Sequence, residues 1–154
     1  ASAAKLEEAL PMLEKLHPTF TSITYGAGGS TREKTHDLVL RLKRDTSIEP
    51  MAHLTTAVHL RSELTTILER YRSAGIENIL ALRGDPPLSG GGELPAGELA
   101  HAADLVALAR SVGDFSVAVA AHPEGHPDSP DLATDRMMLA RKLELADMAI
   151  TQFF

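Results

Sequence analysis

Five short, nearly continuous apolar runs alternate along the chain with segments in which apolar residues recur every three or four positions. The apolar runs are residues 20–25, 50–55, 78–82, 116–121 and 148–153. Such runs are typical of strands that are covered on both faces. The three-to-four spacing of the other segments is typical of helices with one buried face. The alternation predicts a parallel sheet with right-handed helical crossovers.

The predicted helices carry several boundary signals. Pro11 lies inside the first one, where it predicts a kink or a new helix start. Ser62 is the expected N-cap of the helix before the third strand, and Gly75 is its expected end. Gly113 is the expected end of the next helix. The last helix is expected to carry Met138, Leu139, Lys142, Leu143 and Leu145.

The repeat length of about 30 residues suits a βα unit. It leaves two architectures, an open doubly wound sheet and a (β/α)8 barrel. A dinucleotide-binding sheet requires the spacing G-x-G-x-x-G, and the glycines of ITYGAGGST are too close together for it. A barrel requires eight strands, whereas this chain has five. The Pro/Gly-rich residues 86–97 are interpreted as a long βα loop and not as a linker, so residues 1–154 are expected to form one domain.

Composition and charge narrow the classes of function. The formal net charge of −6 offers no basic field for nucleic acid or for an anionic membrane. No apolar run approaches 18 residues, so no membrane span is predicted. The chain has no cysteine, which excludes disulfides and a cysteine nucleophile and fits a reducing cytoplasm.

Polar residues concentrate where the predicted strands end. They are Thr24, Tyr25, His53, Thr55, Arg83, Gly84, Asp85, His122, Glu124, His126, Thr151 and Gln152. The carboxyl ends of parallel strands lie at one edge of the sheet, so these residues predict a single shared site. Simpler interpretations stay open for each motif, since the glycines at 26, 28 and 29 could only turn the chain and His53 could be a satisfied core histidine.

The segment HPEGHP also permits a metal interpretation, with two imidazoles around a carboxylate. Its prolines and glycine prevent the regular helix of an H-E-x-x-H site, and a third fixed ligand is not evident. We therefore predict no metal. A barrel hydrolase that uses His53, His122 and His126 remains an alternative.

Five segments, in this order, resemble the flavin-dependent methylenetetrahydrofolate reductases: FTSITYGAGGSTREKT, MAHLTT, GIENILALRGDPP, VAVAAHPEGHP and ADMAITQFF. The resemblance implies an α/β TIM barrel, (β/α)8, here incomplete with about five βα units. It implies an enzyme that binds FAD, takes electrons from NADH or NADPH, and reduces 5,10-methylenetetrahydrofolate to 5-methyltetrahydrofolate. It further implies a cytoplasmic homo-oligomer in one-carbon metabolism and methionine biosynthesis.

The same resemblance assigns roles to individual residues. The implied FAD-binding residues are Thr24, Tyr25, Ala27, His53, Arg83, Gly84, Asp85, Ala102, His122, His126, Asp135, Arg141 and Lys142. Asp85 and Gln152 are the implied catalytic and substrate-binding residues: Asp85 would meet the folate and tune the flavin, and Gln152 would contact folate and nicotinamide in turn. The glycines after Tyr25 would let the backbone approach the rings.

The sequence also departs from the family pattern. Ala52 stands where proline is common, His122 stands where an aromatic residue is usual, and residues 143–147 are one residue short. The family's first strand, F-E-F-F-P-P with its general-acid glutamate, has no counterpart here, nor do the last two βα units. We therefore expect a piece of a longer protein. A catalytically incomplete half-barrel that binds FAD without turnover is the alternative.

Overall fold

Five parallel strands form one curled sheet in a computed structural model that describes residues 3–25, 29–57, 59–84 and 98–151. The strands are β1 (Thr21–Ile23), β2 (Pro50–Thr55), β3 (Asn78–Leu82), β4 (Ser116–Ala121) and β5 (Met148–Thr151). The helices are α1 (Ala3–Lys15), α2 (Gly29–Asp45), α3 (Arg61–Ser73), α4 (Ala102–Val112) and α5 (Leu132–Leu143).

The strand order distinguishes between the two predicted architectures. Each strand pairs in parallel with the next one along the chain, in the order β1-β2-β3-β4-β5. A doubly wound sheet would reverse its strand order at a switch point. The sequential order and the curl are those of an incomplete (β/α)8 barrel, as the resemblance implied.

Alternation along each strand separates two faces. The face towards the helices carries the main core, to which β2 contributes Ala52 and Leu54 and β3 contributes Ile79 and Ala81. The opposite, concave face carries a smaller cluster of Met51, Leu80 and Ala118, with Leu82 and Ile150 packed against it. His53 pairs in register with Leu80 and therefore lies on the concave face.

Several predicted boundaries need correction. α3 begins at Arg61 after Leu60, so the prediction of Ser62 as its N-cap is wrong. The Glu63 carboxylate accepts from the Leu60 backbone N–H at 2.8 Å and satisfies the helix start instead. The ends predicted at Gly75 and Gly113 are confirmed, with Gly75 at φ +74°.

The two ends of the chain differ more from the sequence-based expectation. α1 is continuous through Pro11, so the new helix start predicted there is wrong. Leu145 falls after the end of α5. Residues 148–151 of β5 are mostly exposed, so its predicted coverage on both faces is not seen among the described residues. None of the described helices is both long and apolar enough to cross a membrane.

Candidate functional site

His53 is the most informative polar residue on the concave face. The side chains before and after it, Ala52 and Leu54, are fully buried against the helices and fix its orientation. Its Nε2 atom is inaccessible to solvent and has no hydrogen-bond partner among the described residues. Burial lowers the pKa of the imidazole, which favours the neutral form. A buried ring nitrogen without a partner is costly, so this atom is suited to a ligand.

The bend after β3 is held against the end of β2. The backbone N–H groups of Thr56 and Ala57 donate to the carbonyls of Leu82 and Arg83 at 3.0 and 2.8 Å. Gly84 follows at φ +82°, and a Cβ atom there would lie 2.9 Å from Cβ of Thr55. Glycine is therefore required at this position both by its backbone conformation and by the close approach of β2.

The loop after β4 folds back towards the end of β3. The His122 and His126 rings meet edge to face with centroids 4.8 Å apart. The backbone N–H of Asp128 donates to Nδ1 of His126 at 3.1 Å. The Asp128 carboxylate pairs with the Arg83 guanidinium at 2.6 Å. This ion pair joins the end of β3 to the loop after β4, and Arg83 lowers the pKa of Asp128.

α5 adds charged groups next to this loop. The Lys142 ammonium donates to the carbonyl of Ala120 at 2.8 Å, and burial lowers the pKa of Lys142 while Asp135 opposes the shift. Ser129 donates to Asp135 at 2.9 Å. Burial, His126 and Lys142 lower the pKa of His122, whereas Asp135 raises it. The effects of His126, Asp135 and Lys142 on the pKa of His122 place these side chains in one electrostatic cluster.

Two further predicted residues follow β1. Thr24 is exposed, and Tyr25 is half-buried. The Tyr25 hydroxyl lies 2.8 Å from Nε2 of His59 and 3.5 Å from Nε2 of His36. Sequence reasoning missed both histidines. The signal that could have revealed His36 is its place three residues before the fully buried Val39, on the apolar face of α2.

Of the remaining predicted site residues, two lie in described helices and three do not lie in the described part of the chain. Ala102 begins α4 and is half-buried, and Arg141 lies exposed on α5. Ala27, Asp85 and Gln152 lie outside the described residues. The structure therefore brings together Arg83, His122, His126, Asp135 and Lys142, and it places His53 on the concave face.

The metal alternative requires a set of ligands. In the described part of the chain, no three His, Cys, Asp or Glu side chains are grouped so that they could hold a metal ion. His53, His122 and His126 therefore do not form the ligand set that the hydrolase alternative needs.

Comparison with known proteins gives one consistent family. A sequence model described as Methylenetetrahydrofolate reductase matches residues 1–154. The 5,10-methylenetetrahydrofolate reductase of Salmonella typhimurium is 43% identical over 151 residues, which cover 97% of this chain and 49% of the relative. The 5,10-methylenetetrahydrofolate reductase of Escherichia coli is 42% identical over 151 residues, with the same two coverages.

A plant relative extends the comparison. The protein named Methylenetetrahydrofolate reductase (NADH) 1 of Arabidopsis thaliana is 40% identical over 162 residues, which cover 97% of this chain and 27% of the relative. The chain thus spans about half the length of the bacterial relatives, and the match runs along nearly all of it. On these grounds, the chain belongs to the methylenetetrahydrofolate reductase family.

Proposed function

We propose that this chain forms the FAD-binding part of an enzyme that reduces 5,10-methylenetetrahydrofolate to 5-methyltetrahydrofolate with NADH or NADPH. The observation that carries the proposal is the buried Nε2 atom of His53, which lacks a partner among the described residues and lies on the concave face of the sheet. In a member of this family, the ligand that would satisfy the atom is the flavin.

The residues around the strand ends fit FAD. His53 would offer a neutral imidazole to the flavin, and Gly84 lets the backbone come close, since it has no Cβ. Lys142 and the neighbouring Arg141 are cations suited to a pyrophosphate. Arg83 is the third cation; it lies at the β3 end of the site, where its guanidinium pairs with Asp128.

The protein and the cofactor have different tasks. Bound FAD supplies the two-electron transfer that links the nicotinamide to the folate. The protein binds and orients the reactants, and the end of β1 with Thr24 and Tyr25 contributes to this. Asp85 and Gln152 are proposed to contact the folate, by resemblance alone. A negative charge at Asp85 would disfavour the anionic reduced flavin.

Titration with FAD tests the binding part of the proposal. We expect saturable quenching of FAD fluorescence by the purified chain, and weaker binding of riboflavin because it lacks the pyrophosphate that Arg141 and Lys142 would contact. If FAD does not bind saturably, or if riboflavin binds equally well, the proposed FAD site is wrong.

A chimera tests the reaction. The matching half of the Escherichia coli relative, 42% identical to this chain, is replaced by residues 1–154. We expect the flavin of the chimera to bleach with NADH or NADPH and to reoxidise anaerobically with methylenetetrahydrofolate. A chimera that binds FAD and is bleached but is not reoxidised by the folate would contradict the proposed substrate and favour an FAD-binding piece without turnover.

We also place this enzyme in the cytoplasm as a homo-oligomer. Self-association is supported by large apolar side chains that stand exposed along α5 and β5, namely Met137, Met138, Leu143 and Met148. Light scattering on the purified chain tests this point, and a mass of one chain at micromolar concentration would contradict it.

A further inference from the structure

A continuous line of polar side chains runs through the core directly behind Tyr25. The Tyr71 hydroxyl lies 2.5 Å from Nδ1 of His36. On the other side of the His36 ring, the Nε2 atom lies at 3.5 Å from the Tyr25 hydroxyl. That hydroxyl lies 2.8 Å from Nε2 of His59, and Nδ1 of His59 lies 3.5 Å from the Glu63 carboxylate. The line joins the main core to an exposed carboxylate.

These side chains come from four separate parts of the chain. Tyr25 follows β1, His36 lies on α2, His59 precedes α3, and Tyr71 lies on α3. His36, His59 and Tyr71 are 3%, 4% and 0% exposed, whereas Tyr25 is half-buried. Tyr25 is therefore the member of the line that reaches from the core to the candidate site.

The carboxylate at the outer end sets a direction for the hydrogen bonds. The contact between Nδ1 of His59 and the Glu63 carboxylate is electrostatic at 3.5 Å, and the negative charge favours the His59 hydrogen on Nδ1. Nε2 of His59 is then an acceptor, and the Tyr25 hydroxyl donates to it. The Tyr25 oxygen can in turn accept from Nε2 of His36. Nδ1 of His36 is left as the acceptor for the Tyr71 hydroxyl. This one pattern accounts for the hydrogen bonds among Tyr71, His36, Tyr25 and Nε2 of His59.

The electrostatic surroundings agree with a neutral His36 ring. Burial is the largest influence on the pKa of His36 and lowers it, and the Arg70 cation lowers it further. Glu33 and Asp37 oppose this shift. Burial raises the pKa of Tyr71 above its ordinary value, so its hydroxyl keeps the proton that it donates.

The rings also restrict one another sterically. The Tyr25 ring lies with its centroid 5.5 Å from the His36 ring and 5.7 Å from the His59 ring, tilted by 59° in both cases. Ring contacts and hydrogen bonds therefore act together on a single side chain, and they leave it few alternative positions.

We propose that Tyr71, His36 and His59 are positioning residues that hold the Tyr25 hydroxyl, and thereby hold residues 24 and 25 in the conformation that receives the flavin. The inference rests on the proposed FAD site for its functional meaning. The hydrogen-bond pattern itself does not depend on that site and can be tested without flavin.

Nitrogen NMR of the histidine side chains tests the pattern. At pH 7.5 we expect His36 to carry its hydrogen on Nε2 and His59 to carry its hydrogen on Nδ1, both as neutral rings. The Tyr71→Phe variant should change the nitrogen shifts of His36 strongly, while the exposed His17 serves as an internal reference. The opposite tautomers in the unmodified chain would overturn the proposed line.

FAD titration of variants tests the consequence. Tyr71→Phe removes only a buried hydroxyl, and we expect it to weaken FAD binding by about tenfold, the factor for one hydrogen bond of typical strength. Leu68→Val alters the same buried face of α3 and removes no polar group of the line. If Tyr71 had only a structural role, Tyr71→Phe and Leu68→Val would weaken FAD binding to the same extent whenever they lost the same free energy of unfolding.

A pair of His59 variants supplies a rescue experiment. His59→Gln keeps an acceptor near the position of Nε2, whereas His59→Met fills similar space without a comparable acceptor. We expect His59→Gln to bind FAD within about threefold of the unmodified chain and His59→Met to bind about tenfold more weakly. Equal affinities for Tyr71→Phe, His59→Met and the unmodified chain would overturn the inference, whereas failure of the unmodified chain to bind FAD would overturn the proposed function.

Discussion

The two sides of the candidate site are built differently. Around β2, β3 and α3, strand residues such as Leu54 and Ile79 are fully buried, and the buried His36 and Tyr71 are hydrogen-bonded to each other. Around the loop after β4, α5 and β5, no α5 residue is buried, and contacts such as the pair that Asp128 of this loop makes with Arg83 are exposed. The first side is preorganised by the core, whereas the second is held mainly at the surface.

This difference predicts which variants change the free energy of unfolding and which variants change ligand binding alone. A change on the first side disturbs close packing, so it should affect the free energy of unfolding and ligand binding together. A change on the second side meets solvent and few buried neighbours, so it should affect binding with little effect on folding. The following variants test that separation, beginning with the largest expected effect.

Core truncation should show the contrast most strongly. Leu64 of α3 is fully buried, whereas Leu143 of α5 is 40% exposed. We expect Leu64→Ala to lower the free energy of unfolding by about 3 kcal/mol and Leu143→Ala to lower it by less than about 1 kcal/mol. Urea unfolding followed by circular dichroism measures both. Equal losses would show that the two sides are packed alike.

Two glycines with positive φ provide a matched pair. A Cβ at Gly84 would lie 2.9 Å from Cβ of Thr55, whereas at Gly125 it would lie 3.4 Å from a flexible Leu132 methyl. Both alanine variants incur backbone strain of about 1 kcal/mol. Gly84→Ala should lower the free energy of unfolding by about 1–2 kcal/mol more than Gly125→Ala does, because β2 must move. Thermal unfolding of the two variants gives the difference, and a larger loss for Gly125→Ala would refute the close approach.

Acid should destabilise the first side through its buried histidines. The folded-state pKa values of His36 and His53 lie below 6.5, the value expected in the unfolded chain. The folded state thus binds fewer protons than the unfolded state between these pKa values. Stability is therefore full above pH 6.5, falls as the pH drops below 6.5, and stops falling below the folded-state pKa values.

Removal of one buried histidine tests the predicted loss of stability at low pH. Urea unfolding between pH 7.5 and 5 should show a smaller loss of stability for His36→Gln than for the unmodified chain. Some loss remains in His36→Gln, since the pKa values of His53 and His122 are lowered as well. Greater stability at pH 5.5 than at 7.5 would contradict the account.

The surface ion pair should give the smallest change. Arg83 and Asp128 have side chains that are 45% and 62% exposed. We expect Asp128→Asn to change the free energy of unfolding by less than about 1 kcal/mol. FAD binding should become modestly tighter, because Arg83 is released for the cofactor. Calorimetric titration measures the affinity, and a loss of stability well above this bound would assign the pair a structural role.

The sequence predicted the sheet well because its signals are local. Apolar runs of five or six residues, separated by helical periodicity, located β2, β3 and β4 with their observed bounds. The N-cap of α3 was misplaced at Ser62 because a glutamate three residues into the helix satisfies the backbone of Leu60. Which side chain satisfies the first backbone N–H groups of a helix depends on side-chain geometry, and the residue type alone does not determine that geometry.

The candidate site was predictable only in part. Strand ends and the family resemblance indicated His53, Arg83 and the HPEGHP segment, and the structure links Arg83 to that segment through Asp128. The line behind Tyr25 was not predicted, since it joins residues up to 46 positions apart that share no motif, from Tyr25 to Tyr71. Such a cluster depends on how α2 and α3 pack together.

The most direct test of the account is the FAD affinity of the unmodified chain and of His53→Leu, measured beside their stabilities. The variant removes a buried nitrogen that lacks a partner among the described residues, so it should unfold at equal or higher urea concentration. If that nitrogen serves the flavin, FAD binding should weaken by about tenfold or more. Equal affinity of the two proteins for FAD would contradict the account.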